Sequence, residues 1–262
     1  MKAGYIADEL EKLYPPCLAE KWDNPGFLCG NRGSEIKKIL VALDASLYVV
    51  GEAVVAGANM IVTHHPIMFS GVKNITMDTK DGQIIYSLIK NNISLFAAHT
   101  NLDESKDGIN RHIAYLIGLE NLSALIPNDK MEGAGTGVIG SLSSKKDISV
   151  SELVMKVKKA LGIGYARFTG SSDRKVRRVA VITGSGGDYI YEAAARGAEV
   201  LITGDIKYHT ALDADFLGLT VIDAGHYGTE IASMDIFANA IQQIAPDVEV
   251  IKSSQKDIFS FM

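Results

Sequence analysis

The sequence predicts an α/β fold made of two related halves, with mostly parallel or mixed sheets flanked by helices. Short β-branched runs alternate with longer segments of helical period, which is how a buried sheet between helices is written. Polar, histidine-rich motifs follow directly after predicted strands, and the chain matches itself at a fixed offset.

The elements follow in order. Residues 39–43 read as a buried strand, 48–57 as a helix ended by Gly57, and 59–63 as the next strand, after which comes His64-His65-Pro66. Residues 82–90 are helical and 93–98 form a strand that runs into His99-Thr100-Asn101-Leu102-Asp103. Residues 109–117 carry a helical pattern. The stretch 123–149, richer in Gly, Ser, Asn and Lys, reads as a connector with one edge strand at 137–141. Ser149 and Glu152 form a capping box for a helix over 150–160 that Gly162 ends. A strand over 179–183, a helix over 189–196, a final helix over 233–244 and a last strand over 248–251 complete the chain.

Adding 140 to each number places Val41 on Val181, Glu52 on Glu192, Ala53 on Ala193, Gly57-Ala58 on Gly197-Ala198 and Thr63 on Thr203. An offset of 127 places His99 on His226 and Asp103 on Glu230. The two halves are 1–125 and 126–262, with the C-terminal segment expected to pack back on the first.

Composition narrows the function. With 26 Lys plus Arg against 31 Asp plus Glu, the net charge of −5 repels a phosphate backbone, which disfavours non-specific nucleic-acid binding. No apolar run is long enough to span a bilayer and the first residues are charged, so a cytoplasmic protein without a membrane anchor is expected. Cys17 and Cys29 are too few and too irregularly spaced for a disulfide framework or a metal knuckle.

The chemistry concentrates at strand ends. Adjacent side chains of a strand face opposite ways, so His64 and His65 can share a site only where the strand has ended, and Pro66 supplies that turn. His99 and Asp103 are four apart, as are His226 and Glu230, which puts each pair on one helical face. Imidazole plus carboxylate is the ligand set of Zn²⁺, Fe²⁺, Mn²⁺ or Co²⁺ in hydrolytic sites, and such a group can hold two ions about 3.5 to 4 Å apart. Taken singly, each residue is better explained as a satisfied histidine or a capping carboxylate; as a group they point to metal, because buried charges are normally paired or metal-bound. His112 lacks a polar motif beside it and reads as a surface residue. Gly135-x-Gly137-x-x-Gly140 follows polar residues and opens no helix, so it is not a dinucleotide fingerprint. Gly184-Ser185-Gly186-Gly187, set between a strand and a helix, reads as a structural turn, with an anion held by its free amides the alternative, and the basic cluster at 174–178 reads as a solvated edge.

Val62-Thr63-His64-His65-Pro66, Ala98-His99-Thr100-Asn101-Leu102-Asp103, Gly204-Asp205-Ile206-Lys207-Tyr208-His209 and Gly225-His226-Tyr227-Gly228-Thr229-Glu230, in this order, resemble the motifs of the Nif-three-like family, also called YbgI-like or GTP cyclohydrolase I type 2. Trp22-Asp23-Asn24-Pro25-Gly26 is similar to its amino-terminal motif, and the likeness spans nearly the whole chain. The resemblance implies two divalent transition-metal ions per chain held by His64, His65, Asp103, His226 and a bridging Glu230. It implies that the two α/β halves are intertwined, and it implies a toroidal homohexamer and a small-molecule substrate, GTP, whose purine ring is opened with release of formate. Asp205 and His209 stand in the second half's counterpart of the double histidine; they are candidate catalytic groups, substrate contacts or partners that orient the ligands, with a structural role the alternative, and His99 is either a metal ligand itself or a catalytic or orienting partner. The family's Gly-x-Gly-Arg run is incomplete here, since Gly135-Thr136-Gly137 lacks the arginine, which removes a cation for an anionic substrate.

Overall fold

The computed structural model describes residues 1–69, 71–143 and 146–260. In chain order its elements are α1 (Ala3–Leu13), β1 (Gly26–Cys29), β2 (Lys38–Ala42), α2 (Leu47–Ala56), β3 (Met60–Thr63), α3 (Lys80–Lys90), β4 (Ser94–Ala97), α4 (Thr100–Asp103) and α5 (Ile109–Leu116). There follow β5 (Leu119–Pro127), β6 (Gly135–Leu142), β7 (Ile148–Ser149), α6 (Val150–Leu161), β8 (Arg167–Phe168), β9 (Lys175–Val176), β10 (Arg178–Val181) and α7 (Ile190–Ala195). The chain finishes with β11 (Val200–Thr203), α8 (Tyr208–Phe216), β12 (Thr220–Asp223), α9 (His226–Glu230), α10 (Ser233–Ile244) and β13 (Glu249–Lys252). Helices flank mixed sheets, the α/β class that the alternating pattern predicts.

The chain divides into two compact units, one of residues 1–102 and 233–256, the other of 103–232 and 257–262. In the first unit the sheet order is β1-β4-β3-β2-β13, with β4, β3, β2 and β13 parallel and β1 antiparallel at the edge. Strand side chains alternate between faces. Leu40, Ala42, Ile61 and Leu95 meet Val49, Val50 and Ala53 of α2 and Ile84 and Leu88 of α3. The alternate residues Ile39, Val41, Met60, Val62 and Phe96 are equally buried on the other face, where α10 packs along β2 and β13 and the Phe237 ring meets Tyr14 edge-on. Burial on both faces explains why these strands read as unbroken apolar runs. Asn59 ties the sheet's lower edge: its side chain donates to Glu35 O at 2.6 Å and accepts from Lys37 N at 3.2 Å.

In the second unit the order is β5-β6-β10-β11-β12-β8, parallel across β10, β11 and β12 and antiparallel elsewhere. Ile139, Ala180, Leu201 and Val221 pack against Ile190 and Ala193 of α7 and Ala214 of α8. The Ser149–Glu152 capping box starts α6, and Gly162 ends it in the left-handed region. The pairing registers of the units match: Ile39 faces Met60 in one and Val179 faces Val200 in the other, 21 residues apart in both.

Two local expectations need correction. The strand read at 137–141 is not an edge; β6 lies inside the sheet between β5 and β10, and residues 123–127 of the stretch that reads as connector belong to β5. Glycines at 135, 137 and 140 weaken the strand signal, yet they serve it: a Cβ on Gly135 would lie 2.1 Å from the Ile126 carbonyl oxygen, so only glycine lets the neighbouring strand approach. The basic stretch before residue 179 is a sheet edge only in part: Lys175 lies in β9 of the two-stranded β7-β9 sheet, whereas Arg178 starts β10, which pairs on both sides, with β6 and β11. Arg178 nonetheless stays exposed.

Candidate metal centre

In the first unit the parallel strands β2, β3 and β4 all deliver polar residues at their carboxyl ends, where open α/β sheets place ligands. Asp44 lies beyond β2, His64 and His65 beyond β3, and His99 beyond β4. After β3 the ladder is closed by His65 N donating to Leu43 O at 3.0 Å and by Thr63 Oγ1 donating to His65 O at 2.9 Å. This turn brings the two adjacent imidazoles to the same side. The ring centroids of His64, His65 and His99 are 5.0, 5.2 and 5.4 Å apart, and one ring nitrogen from each lies within 4.8 Å of the others.

Each imidazole is oriented through Nδ1. His64 Nδ1 lies 2.9 Å from Ala98 O, His65 Nδ1 2.8 Å from Asp44 Oδ1 and His99 Nδ1 2.9 Å from Asp23 Oδ1. An oxygen acceptor at Nδ1 selects the tautomer that carries its proton there, so the lone pair resides on Nε2. That is the arrangement of metal-ligating histidines, whose second nitrogen donates to a carboxylate or carbonyl. Asp23 is fully buried. Burial alone would raise its carboxyl, but hydrogen bonds from His99 and Thr100 outweigh it and hold the group down at about 2. It also accepts from Thr100 N at 3.1 Å and Thr100 Oγ1 at 2.6 Å.

The second unit repeats the device at the ends of β11 and β12. His226 opens α9, its Nδ1 2.8 Å from Asp205 Oδ2 and its Nε2 2.9 Å from Glu230 Oε2 one turn along. Carboxylates on both ring nitrogens suit an imidazolium or a ring bound to a cation, since neutral imidazole can donate only once. Glu230 is nearly fully buried. Asp205 takes up φ +55°, an uncommon conformation for a residue with a side chain, which strains the backbone at the residue that orients His226. The loop ahead of His226 is tied by Asp223, whose carboxylate accepts from Gly225 N, Ile206 N and Arg167 Nε at 2.9 to 3.0 Å. The Gly184 turn is joined to α9 by its N–H donating to Thr229 Oγ1 at 3.0 Å.

Comparison with known sequences and structures follows this geometry. The profile of the family described as Duf34/NIF3 (NGG1p interacting factor 3) matches residues 1–258. The chain belongs to the Duf34/NIF3 family. A Clostridium acetobutylicum relative named GTP cyclohydrolase 1 type 2 homolog is 39% identical over 92% of this chain and 90% of its own length. A Clostridium perfringens relative of the same name is 36% identical with both chains fully covered. The crystal structure of a Bacillus cereus protein related to NIF3 superposes with a TM-score of 0.89 at 26% identity, over 100% of this chain and 99% of that one.

In this NIF3-family chain the structure groups His64, His65 and His99 in one unit and His226, Glu230 and Asp205 in the other. Asp103 closes α4, half-buried, with its carbonyl accepting from Asn110 Nδ2 at 3.1 Å. His209 stands exposed on α8 with its ring against Tyr208. Thr136, in the incomplete Gly-x-Gly run, donates to Glu104 Oε1. Sequence reasoning missed Asp23 and Asp44 as the groups that orient His99 and His65. Both signals were present: Asp23 sits inside the Trp22-to-Gly26 motif, and Asp44 directly follows a strand. Cys17 and Cys29 are free thiols. Among the described residues no helix is long and apolar enough to cross a membrane.

Proposed function

We propose that this protein binds two divalent transition-metal ions per chain through His64, His65, Asp103, His226 and Glu230, and that it is a metal-dependent hydrolase of a nucleotide-like substrate. One observation carries this reading: His64, His65 and His99 each have Nδ1 against an oxygen acceptor, so the tautomer with its Nε2 lone pair recurs three times in one cluster, and His226 sets Nε2 beside the buried Glu230 carboxylate. Imidazole nitrogens and a buried carboxylate suit Zn²⁺, Fe²⁺, Mn²⁺ or Co²⁺. A bound ion of this kind supplies a hydroxide nucleophile by bringing the pKa of water from about 15.7 to roughly 7. The residues themselves would hold and orient: Asp44 fixes His65, Asp23 fixes His99, and Asp205 fixes His226. The relatives' name makes GTP the first substrate to try, with formate as the product of ring opening. Assembly as a homohexamer is part of the same proposal and rests on the resemblance, and a cytoplasmic location is proposed from the charged first residues and the lack of a long apolar run in the sequence.

The test begins with metal content per chain, by plasma mass spectrometry, on untagged protein purified without chelator. About two ions per chain, lost in His64→Ala and Glu230→Ala with the fold retained, support the ligand set; full occupancy in both variants overturns it. Formate released from GTP by the metal-replete protein supports the hydrolase. Bound metal without turnover of GTP or other nucleotides favours a metal-handling protein.

A further inference from the structure

Resting on that reading and extending it to the substrate, we propose that the cleft beside His99 is a stacking subsite for a planar heteroaromatic ring that carries an anionic group, the chemistry of a nucleotide. The cleft, about 290 Å³, is lined by Lys21, Trp22, Asp23, Asn24, Met68 and Phe69 among others. That is close to the roughly 300 Å³ lower end of small-molecule sites, which suits one fused ring system.

Two exposed aromatic rings form one of its walls. Trp22 is 57% exposed and Phe69 50% exposed, and they lie against each other with ring centroids 5.9 Å apart at 43°. Two aromatic rings held together in water offer a planar ligand an apolar face on which to stack. Because the two rings already touch, a ligand ring would lie on the exposed indole surface instead of sliding between them. Aromatic faces accept any base by stacking, which gives affinity without demanding one hydrogen-bonding pattern.

The position relative to the histidines is what joins this cleft to the chemistry. The His99 ring is 5.7 Å from both Trp22 and Phe69, edge-on to each, and 5.2 Å from His64. A ring stacked on Trp22 therefore reaches the margin of the histidine cluster. Asn24 Nδ2 donates to Met68 O at 2.8 Å and ties one wall of the cleft to the other. The Asp23 carboxylate would repel an anion, but it is fully buried and turned to His99, Thr100 and Asn24 N. The Lys21 ammonium is then the charge the cleft offers, and it complements a phosphate.

Trp22 is the single tryptophan of the chain, so its emission reports on the cleft directly. We expect guanosine monophosphate to quench that emission saturably and ribose 5-phosphate to do so far more weakly. By calorimetry, Trp22→Leu should weaken guanosine monophosphate binding about five- to a hundredfold, the range a base stacked on an aromatic ring supplies. Phe69→Leu should weaken it less, and Lys21→Gln should weaken guanosine monophosphate but not guanosine. Unchanged emission on adding guanosine monophosphate, or unaltered affinity in Trp22→Leu, overturns the proposal. So does an emission change that follows protein concentration alone, which would make the patch a contact between copies. Metal content measured on the same samples separates the two readings: a metal-loaded protein whose tryptophan ignores nucleotide refutes the subsite only, and a nucleotide-responsive protein without metal refutes the metal centre only.

Discussion

Gly184 and Glu230 stand so close that a Cβ on residue 184 would lie 2.2 Å from Glu230 Oε1 and 3.5 Å from His226 Cε1. The glycine-rich turn after β10 is thus the wall against which the Glu230 carboxylate rests, and the absence of a side chain at 184 sets where that carboxylate can stand. Gly184→Ala should displace Glu230 and lower metal occupancy. The φ of +66° adds about 1 to 2 kcal/mol of strain for a residue with a Cβ. Gly57→Ala is the control: it has a similar φ of +69°, with nothing within 4 Å of the added atom, and should lower the melting temperature without changing metal content. Equal metal loss in both, or none in Gly184→Ala, would remove the special role of position 184.

The orienting carboxylates should separate affinity from stability. Asp44 is half-exposed, so Asp44→Asn should leave the melting temperature almost unchanged while weakening metal binding by about 10- to 100-fold, as loss of such partners does elsewhere. Asp23→Ala should do both, because its buried oxygens serve His99 and both donors of Thr100, and each donor left unsatisfied costs about 1 to 3 kcal/mol. Titration with a competing chelator and thermal unfolding measure the two effects.

Acid should loosen the hold of Glu52 on the C-terminal stretch at Ser253 and Ser254. Burial works against its ionisation, yet hydrogen bonds from Ser253, Ser254 and Tyr48 outweigh that and lower its pKa. A depressed acid contributes stability that is fully present above the unfolded value, about 4.3, and is lost as pH falls through the folded value. Urea unfolding followed from about pH 7 down to about pH 3 should therefore show a steeper acid-side decline for the wild type than for Glu52→Gln. Parallel curves would show that Glu52 contributes nothing to the acid limb.

Ser149 accepts from Glu152 N at 3.2 Å while Glu152 Oε2 accepts from Ser149 N at 2.6 Å, closing the capping box of α6. Ser149→Ala should cost about 1 kcal/mol, and Ser149→Asp should recover most of it because aspartate also caps. Differential scanning calorimetry of the three proteins checks the order.

Much was legible in the residue order. The apolar runs of β2, β3 and β4, the capping box of α6 and the glycine ends of α2 and α6 are local signals, each carried by a few neighbouring residues. The double histidine before Pro66 and the four-residue spacing of His226 and Glu230 also survive as written, because a strand end and one helical turn are short-range geometry. The sequence likewise determined what kind of ligand the histidines could serve, since residue type sets donor chemistry. Tertiary structure decided the rest. Asp23 reaches His99 across 76 positions and Asp44 reaches His65 across 21, and no local pattern selects such partners. β6 is an inner strand because two other strands close on its glycines, a property of the neighbours and not of the segment. Trp22 and Phe69 form one surface only because the chain returns to the same sheet edge. Short-range geometry is encoded in adjacent residues; long-range pairing depends on which strands the whole chain can bury together.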